Sequence, residues 1–442
     1  FDLDSSGDFF ITGNQYSGPL SDGGTDSFDI TTVKISSDGD ILWSNSVPTR
    51  RQWAQASSID LNDSNGAIYI TGDITQGNGQ NQELIDGQTF MGSEDAFIRK
   101  YKEDGTLDWF KILGTSNQDI SSSIEVSEDE SIYIGGYTHG DLNGELNSGD
   151  ADGFISKYSS DGTLEWTKLI GSSEEDKVND IAIDHNGSIY ATGEIGEGVL
   201  GGRDIFVSKF DEDGTEDWRV ALGTNESDRS YSIAIDSAGY IYVAGDSRGY
   251  LDVDVEGREE QDNRGKTDAL IIKLDPSDGA IKWQKLLGGN RYDQANDLII
   301  ADEGSVYLAL EGESIFDDYE TYSLDSQSTD GLAGYLVKLN DGTGSLGNTL
   351  FTPTSKHDLS EAVSAWLADE SAAAQTYGDI NDWDVSSITD FRNLFYGETG
   401  FNSDISNWDV SNGTDFYGMF GHNAKFNQDI GDWDVSKGTD FK

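Results

Sequence analysis

The chain copies itself. Asp95-Ala-Phe-Ile-Arg-Lys-Tyr101 returns as Asp152-Gly-Phe-Ile-Ser-Lys-Tyr158, Asp204-Ile-Phe-Val-Ser-Lys-Phe210 and Asp268-Ala-Leu-Ile-Ile-Lys-Leu274, with weaker copies at 29–35 and 333–339. Five copies then reach a tryptophan, Trp43, Trp109, Trp166, Trp218 and Trp283, while the sixth, around Asp341-Gly342, has lost it. A second element recurs between them: Ile68-Tyr-Ile-Thr-Gly72, Ile132-Tyr-Ile-Gly-Gly136, Ile189-Tyr-Ala-Thr-Gly193 and Ile241-Tyr-Val-Ala-Gly245, with outlying copies at 9–13 and 306–310. Six units, spaced 52 to 66 residues apart, fill residues 1–352. A short repeat cannot bury its own apolar faces, so its neighbours must supply the core.

Each unit reads as four short strands. In the fourth these are Ile181–Asp184, Ser188–Thr192, Asp204–Phe210 and Thr215–Leu222, joined by Asn186-Gly187 and Asp213-Gly214. Such dipeptides supply the positive φ of tight hairpin turns, and the β-branched and aromatic residues between them suit strands. Four antiparallel strands repeated six times predict a mainly β fold, a propeller of six visible four-stranded blades.

A second period occupies the C-terminal end. Asp379-Ile-Asn-Asp-Trp-Asp-Val-Ser386 recurs 25 residues on as Asp404–Ser411 and again as Asp429–Ser436, marked by Trp383, Trp408 and Trp433. So short a unit must stack into a solenoid. Before it, Asp358–Ala374 reads as an amphipathic helix with Leu359, Val363, Trp366 and Leu367 on one face, Asp358 as N-cap and Glu361 completing a capping box. A helix there is expected to cap the first layer of the solenoid. The expected domains are a propeller over 1–352, a linker (with Pro353) and capping helix over 353–375, and the solenoid over 376–442.

The longer repeat resembles the SBBP-type β-propeller repeat of large bacterial surface and secreted proteins, through the segments above and stretches such as Leu222-Gly-Thr-Asn-Glu-Ser-Asp228 leading into Ile233-Ala-Ile-Asp236. That family is usually seven-bladed. Phe1-Asp-Leu-Asp4 aligns with Ile181-Ala-Ile-Asp184, so the sequence opens inside a first strand and a seventh blade is expected upstream. The 25-residue repeat resembles the BspA-type leucine-rich-like repeats of microbial surface proteins. Both resemblances imply a location outside the cell or at its surface.

Charge narrows the partners. With 83 acidic and 28 basic side chains, the net charge is −55. Binding nucleic acid by phosphate neutralisation is excluded, and anionic membranes are disfavoured. No run of about 18 apolar residues exists to span a bilayer. Without cysteine there are no disulfides, thiolate metal sites or cysteine nucleophiles. The four histidines, His139, His185, His357 and His422, lack metal-ligand spacing, and neither a Gly-x-Ser-x-Gly elbow nor a phosphate-binding Gly-Lys-Ser/Thr step appears.

The repeated residues invite functional readings. Lys34, Lys100, Lys157, Lys209, Lys273 and Lys338 would line a channel as a cationic ring, or serve the blade structurally beside a repeated acid such as Asp119, Asp176, Asp228 or Asp293. The structural role is expected, on the logic that repeat units are self-supporting, and likewise for Trp109, Trp166, Trp218 and Trp283 and for the solenoid tryptophans. Asp2, Asp4 and Asp8, alternating around Gly7, form the best single calcium loop. The long connections Asp73–Glu94, Tyr137–Ala151, Asp246–Thr267 and Glu311–Leu332 all join second to third strands and should emerge on one face. Two are acidic, with Asp252, Asp254 and Glu256 in one and Asp317 and Asp318 in the other, and are further candidates for Ca2+; no other cofactor is implied. Phe90, Tyr137, Tyr250 and Tyr319 are candidate exposed aromatics for binding partners or glycans. In the solenoid, the stacked Asp379/Asp404/Asp429, Asp384/Asp409/Asp434 and Asp390/Asp415/Asp440 are expected to cap turns locally rather than to ladder cations.

The expectation is a non-enzymatic extracellular or cell-surface scaffold or adhesion protein whose propeller loops present an acidic face to other surface or matrix proteins or to glycans. A subunit of an extracellular filament or layer, assembling with itself, and a carbohydrate-binding propeller are the alternatives; a propeller hydrolase or lyase stands behind them.

Overall fold

The computed structural model describes residues 1–19, 26–47, 53–62, 64–75, 88–196, 200–249, 267–287, 292–301, 305–312, 321–323, 333–339, 351, 353, 355–368, 373, 377, 380–431 and 433–441. The chain divides into two compact units, one of Phe1–Ile300 with Leu308–Ile315 and Gln327–Gly334, the other of Ala301–Tyr307, Phe316–Ser326 and Tyr335–Lys442.

The fold is mainly β, a six-bladed propeller of four-stranded sheets with one short C-terminal helix. The first sheet holds β1 (Asp2–Leu3), β2 (Phe9–Pro19), β3 (Asp26–Ile35) and β4 (Ile41–Val47). The second holds β5 (Trp53–Asn62), β6 (Ala67–Thr75), β7 (Glu94–Tyr101) and β8 (Leu107–Leu113). The third holds β9 (Asp119–Val126), β10 (Ile132–Thr138), β11 (Asp152–Tyr158) and β12 (Leu164–Ile170). In the fourth are β13 (Lys177–Ile183), β14 (Ile189–Ile195), β15 (Asp204–Phe210) and β16 (Glu216–Leu222). In the fifth are β17 (Asp228–Ile235), β18 (Ile241–Ser247), β19 (Asp268–Leu274) and β20 (Ile281–Leu287). The sixth comprises β21 (Asp293–Ile300), β22 (Val306–Gly312), β23 (Thr321–Ser323) and β24 (Ala333–Leu339).

Five sheets run in chain order, but the sixth runs β21-β22-β24-β23. Its outer strand comes from the connection before β24, pairing Thr321 with Val337 and Ser323 with Tyr335. The place of the missing tryptophan strand is thus filled from a segment the sequence reading took as a loop.

The hairpin turns form as their residues require. At Asp161-Gly162 the glycine takes φ 77°, its N–H bonds Ser159 O at 2.8 Å, and Asp161 Oδ1 accepts from Thr163 N–H at 3.0 Å. First strands begin earlier than the alternation suggests: β13 starts at Lys177, with its register shifting between Val178 and Asp180. Equivalent shifts occur in β5, β9 and β17. Each is a bulge that puts one extra residue into the first strand and breaks the period of two. Apolar cores lie between successive sheets. Tyr190, Ile205 and Val207 of the fourth pack in one cluster with Ile233, Val243 and Ile272 of the fifth.

In the second unit, α1 spans Lys356–Ala368 and buries Leu359, Ala362, Val363 and Trp366. Its N-cap is Ser355 rather than Asp358: Ser355 Oγ accepts from Asp358 N–H at 3.2 Å, which places Asp358 inside the first turn. Glu361 instead faces His357 at 3.5 Å. Trp366 meets Trp383 edge-on at 6.0 Å and joins the repeat core. Beyond it the rings form columns, Trp383/Trp408/Trp433 at 6.2 and 6.4 Å and Phe391/Phe416/Phe441 at 5.3 and 5.4 Å.

Candidate functional site

The recurring lysine lies in a cross-strand row with a tyrosine and a tryptophan, and Lys157 and Lys273 also reach acids, Glu212 at 3.2 Å and Asp236 at 3.3 Å. Cross-strand registry places Tyr133 beside Lys157 and Lys157 beside Trp166, and the same row recurs as Tyr69-Lys100-Trp109, Tyr190-Lys209-Trp218 and Tyr242-Lys273-Trp283. Each ammonium lies 4.6 to 5.5 Å from the centre of its tyrosine ring, a cation–π contact. Each tryptophan meets the same ring at 5.9 to 6.3 Å. Three of these indole N–H groups reach into the next sheet's turn: Trp109 donates to Ser160 O at 3.2 Å, Trp166 to Glu212 O at 3.1 Å and Trp218 to Pro276 O at 3.3 Å. Asp119, Asp228 and Asp293 start strands, and Asp176 stands just before one, at the opposite end of the blade, and a seven-residue strand is roughly 20 Å long, so they cannot be the lysines' neighbours.

Asp2, Asp4 and Asp8 do not converge on a metal. Lys34 takes the place of a cation, with Nζ 3.2 Å from Asp4 and 3.3 Å from Asp8. Asp4 Oδ1 also accepts from Ser6 N–H and Asp8 N–H, both at 3.0 Å, and its pKa is lowered to about 2: the hydrogen bonds and Lys34 outweigh a desolvation effect of opposite sign. Asp2 turns instead towards Asp60. Among the described residues, no group of three or more acids or histidines is arranged to hold a metal ion. Asp252, Asp254, Glu256, Asp317, Asp318, Tyr250 and Tyr319 lie outside the described residues. Phe90 is buried in the core with Phe97 and Phe110, so it is no exposed binding aromatic. Tyr137 is half-buried, with the Lys177 ammonium 4.7 Å from its ring centre.

Two groupings that single motifs do not reveal emerge from the first strands. The first is a string of carboxyls joined from sheet to sheet. Asp60 accepts from Val126 N–H at 2.5 Å, and Asp180 from Ser123 Oγ–H at 2.7 Å and Ile233 N–H at 2.9 Å. Asp297 accepts from Ser232 Oγ–H at 2.9 Å. Glu125 lies in the field of Asp60, Asp180 and Asp2. Burial, then the charge of Asp2, pushes Asp60 up to about 7; burial pushes Asp180 up to about 6 and Glu125 well above the usual range.

The second grouping crosses the end of the sheets where the second-to-third-strand connections emerge. The residue after the repeated glycine is Asn14, Asp73, Tyr137, Glu194 and Asp246 in the first five units, while in the sixth Glu311 follows Leu310. Around these the chain sets Glu94, Glu175, Lys177, Arg203, Arg229 and Tyr231. Lys177 bridges Glu175 at 2.9 Å, and Arg203 joins Glu175 to Glu194, the latter at 3.0 Å. Arg229 lies 3.8 Å from Glu194, and Tyr231 donates to Asp246 at 2.6 Å. Tyr231 is the bulged residue of β17, re-aimed by the bulge. The glycine is obligatory here: a Cβ on Gly193 would sit 1.8 Å from Lys177 O. Asp73 is pushed up to about 7 by burial and by its hydrogen bond and charge coupling to Glu94, and Tyr137 to about 12 by burial and then by Glu94, Glu175 and Asp73. The belt therefore offers paired charges and half-buried tyrosines on a rigid register. The signal was present in the repeat alignment, as a column that changes chemistry beside a glycine kept in five of the six units.

In the C-terminal repeats the acidic columns cap turns. Asp384, Asp409 and Asp434 each accept the N–H two residues on, at 3.1, 2.9 and 3.0 Å, as do Asp404 and Asp429. These bonds hold Asp404, Asp409 and Asp434 below the ordinary carboxylate range.

The β-propeller repeat family (SBBP) matches residues 108–143, 165–199 and 217–251. Residues 363–442 match a family described as a Mycoplasma protein of unknown function, DUF285. The regulatory protein FlaEY of Caulobacter vibrioides is 28% identical over 194 residues, which are 39% of this chain and 20% of that protein. The chain thus spans a fifth of the length of that curated relative. Among solved structures, a protein of unknown function from Bacteroides caccae is similar at 12% identity and a TM-score of 0.41, covering 77% of this chain and 92% of the other. The NanB sialidase of Streptococcus pneumoniae is similar at 11% identity and a TM-score of 0.43, covering 77% and 67%.

Proposed function

We propose that this chain is a non-enzymatic scaffold and adhesion module acting outside the cell or at its surface, with the propeller (1–352) presenting a recognition face and the C-terminal repeats (376–442), of BspA type, extending it through the segment 353–375. The observation that carries this reading is how the side chains divide. The recurring lysines, tyrosines and tryptophans are committed to holding sheets together, whereas the belt at the connection-bearing end varies from unit to unit on a fixed register. Loops and variable columns on a rigid scaffold are where recognition resides. The two surface-protein resemblances of the repeats support the location.

Partners are other surface or matrix proteins, or glycans. Tyr137 and Tyr231 in the belt favour glycans as the second reading, because a tyrosine offers an apolar face and a polar tip together. The test is binding of the whole chain to arrays of matrix proteins and glycans, with Arg229→Ala and Tyr231→Phe as belt variants and circular dichroism as the check on folding. Binding lost in the belt variants supports the reading. Binding that ignores the belt, or turnover of a glycoside or polysaccharide substrate, refutes it.

A further inference from the structure

Where one sheet meets the next, aspartates face each other out of reach of water. Asp95 is the second residue of β7 and Asp119 opens β9; Asp152 opens β11 and Asp176 stands just before β13. All four are 0% exposed. Backbone bonds draw the strand starts together, Asp176 N–H donating to Ala151 O at 2.8 Å. A single point beside Gly114, where a Cβ would stand, is 2.3 Å from Asp95 Oδ1 and 3.2 Å from Asp119 Oδ2.

The two members of each pair are not equivalent. Asp119 accepts from Thr115 N–H at 2.6 Å, from the Thr115 hydroxyl at 3.0 Å and from the Thr138 hydroxyl. Asp176 accepts from Ser172 N–H at 2.5 Å, from the Ser172 hydroxyl and from Gly196 N–H at 2.6 Å. Asp95 accepts two backbone N–H groups, from Met91 and Gly92. Asp152 Oδ2 accepts from Ser148 N–H at 2.8 Å, and Asp152 Oδ1 has no hydrogen-bond partner. Donors thus favour charge on the first-strand acid and leave the third-strand acid short of them.

We propose that each of these junctions holds one proton on the third-strand aspartate, Asp95 or Asp152, so that the propeller takes up protons from solvent as it folds. Asp95 and Asp119, each with a carboxylate oxygen within 3.2 Å of one buried point, cannot both stay charged. A calcium ion would need six to eight oxygens at about 2.3–2.6 Å. Among the described residues no group of three or more acids or histidines is arranged to hold a metal ion. A proton needs no such group. The ionisable groups facing these acids are one another, with His139 beside Asp119.

Burial raises Asp95 to about 6, with the Asp119 charge adding to it, and raises Asp152 above its ordinary value. A raised carboxyl gives stability that is complete below its unfolded pKa and is lost as pH climbs through its folded one. For Asp95 the folding equilibrium constant should therefore fall by roughly a hundredfold between about pH 4 and 7.

The experiment is urea unfolding of the full chain at acid and mildly alkaline pH, for wild type, Asp95→Asn, Asp152→Asn and Asp119→Asn. An amide resembles the protonated acid, so Asp95→Asn and Asp152→Asn should match wild type at low pH and exceed it at high pH, removing the roughly hundredfold dependence at Asp95 and a dependence of the same sign at Asp152. Asp119→Asn discards an acceptor of several donors and should be weaker at both. Equal losses at both pH values in Asp95→Asn and Asp152→Asn would overturn the proposal. So would calcium chloride raising the wild-type midpoint at high pH with EDTA reversing it, because a metal would then be the resident cation.

Discussion

Trp408 lies at the centre of the C-terminal ring columns, and removing it is the sharpest test of how that unit is held. It is 2% exposed, sits between Trp383 at 6.2 Å and Trp433 at 6.4 Å, and donates Nε1–H to Ile380 O at 2.5 Å. A Trp→Ala change in a core costs about 3–5 kcal/mol, and the orphaned Ile380 carbonyl adds about 1 kcal/mol. A loss of about 4–6 kcal/mol would consume most of the stability of an ordinary domain, which is roughly 5–15 kcal/mol. Trp433 makes the equivalent bond to Ile405 O at 3.2 Å but is only half-buried, with a tryptophan on one side among the described residues, so Trp433→Ala should cost about half as much. Native-state hydrogen exchange on the whole chain reads both, using amides of 383–420 as the report and those of β14 as the internal reference. A loss below about 1 kcal/mol for Trp408→Ala, or equal losses for the two variants, would refute the view that stacked indoles carry this core.

Gly193→Ala should cost more than about 3 kcal/mol, or prevent folding, because the new methyl meets backbone at 1.8 Å; Gly187→Ala, with φ at 82° and open space around it, should cost about 1 kcal/mol, and thermal melts compare the two. Lys34→Met should lower the melting temperature at neutral pH and have little effect near pH 2, because the lowered pKa of Asp4 means its stabilisation is present above the unfolded value of 3.8 and is lost as pH falls through about 2. EDTA should leave the wild-type melt unchanged, since Lys34 supplies the positive charge between Asp4 and Asp8; a lowered midpoint would restore a metal there. The raised Asp60 and Asp180 should make wild-type stability decline as pH rises from about 4 through about 6 to 7, and a flat urea midpoint across that span would contradict the burial assigned to them.

Strand positions and the propeller were legible because turn dipeptides and repeated apolar segments act locally and recur six times. What was hidden depended on contacts across strands. Lys157 does reach acids, Glu212 at 3.2 Å and Glu165 at 3.4 Å, but its cross-strand neighbours, Tyr133 and Trp166, follow from registry, which only pairing reveals. The belt depends on bulges that turn Tyr231 towards Asp246, and a bulge is invisible in a period-two reading. Phe90 looked like a loop aromatic, yet its connection folds it back into the core. Ser355 displaced Asp358 as N-cap because the helix begins one turn before its apolar periodicity does.

The indole that leaves one sheet and the Asp-Gly turn that receives it in the next belong to the same repeating segment of sequence. Trp166 reaches the turn at Gly214, while the turn at Gly162 receives Trp109. The second, third and fourth blades therefore each carry both plug and socket. A tandem duplication of one blade-length stretch of gene would create a compatible joint at both of its edges at once, with no interface left to evolve. Lineages can lengthen or shorten such an array by whole units and leave selection to work on the belt.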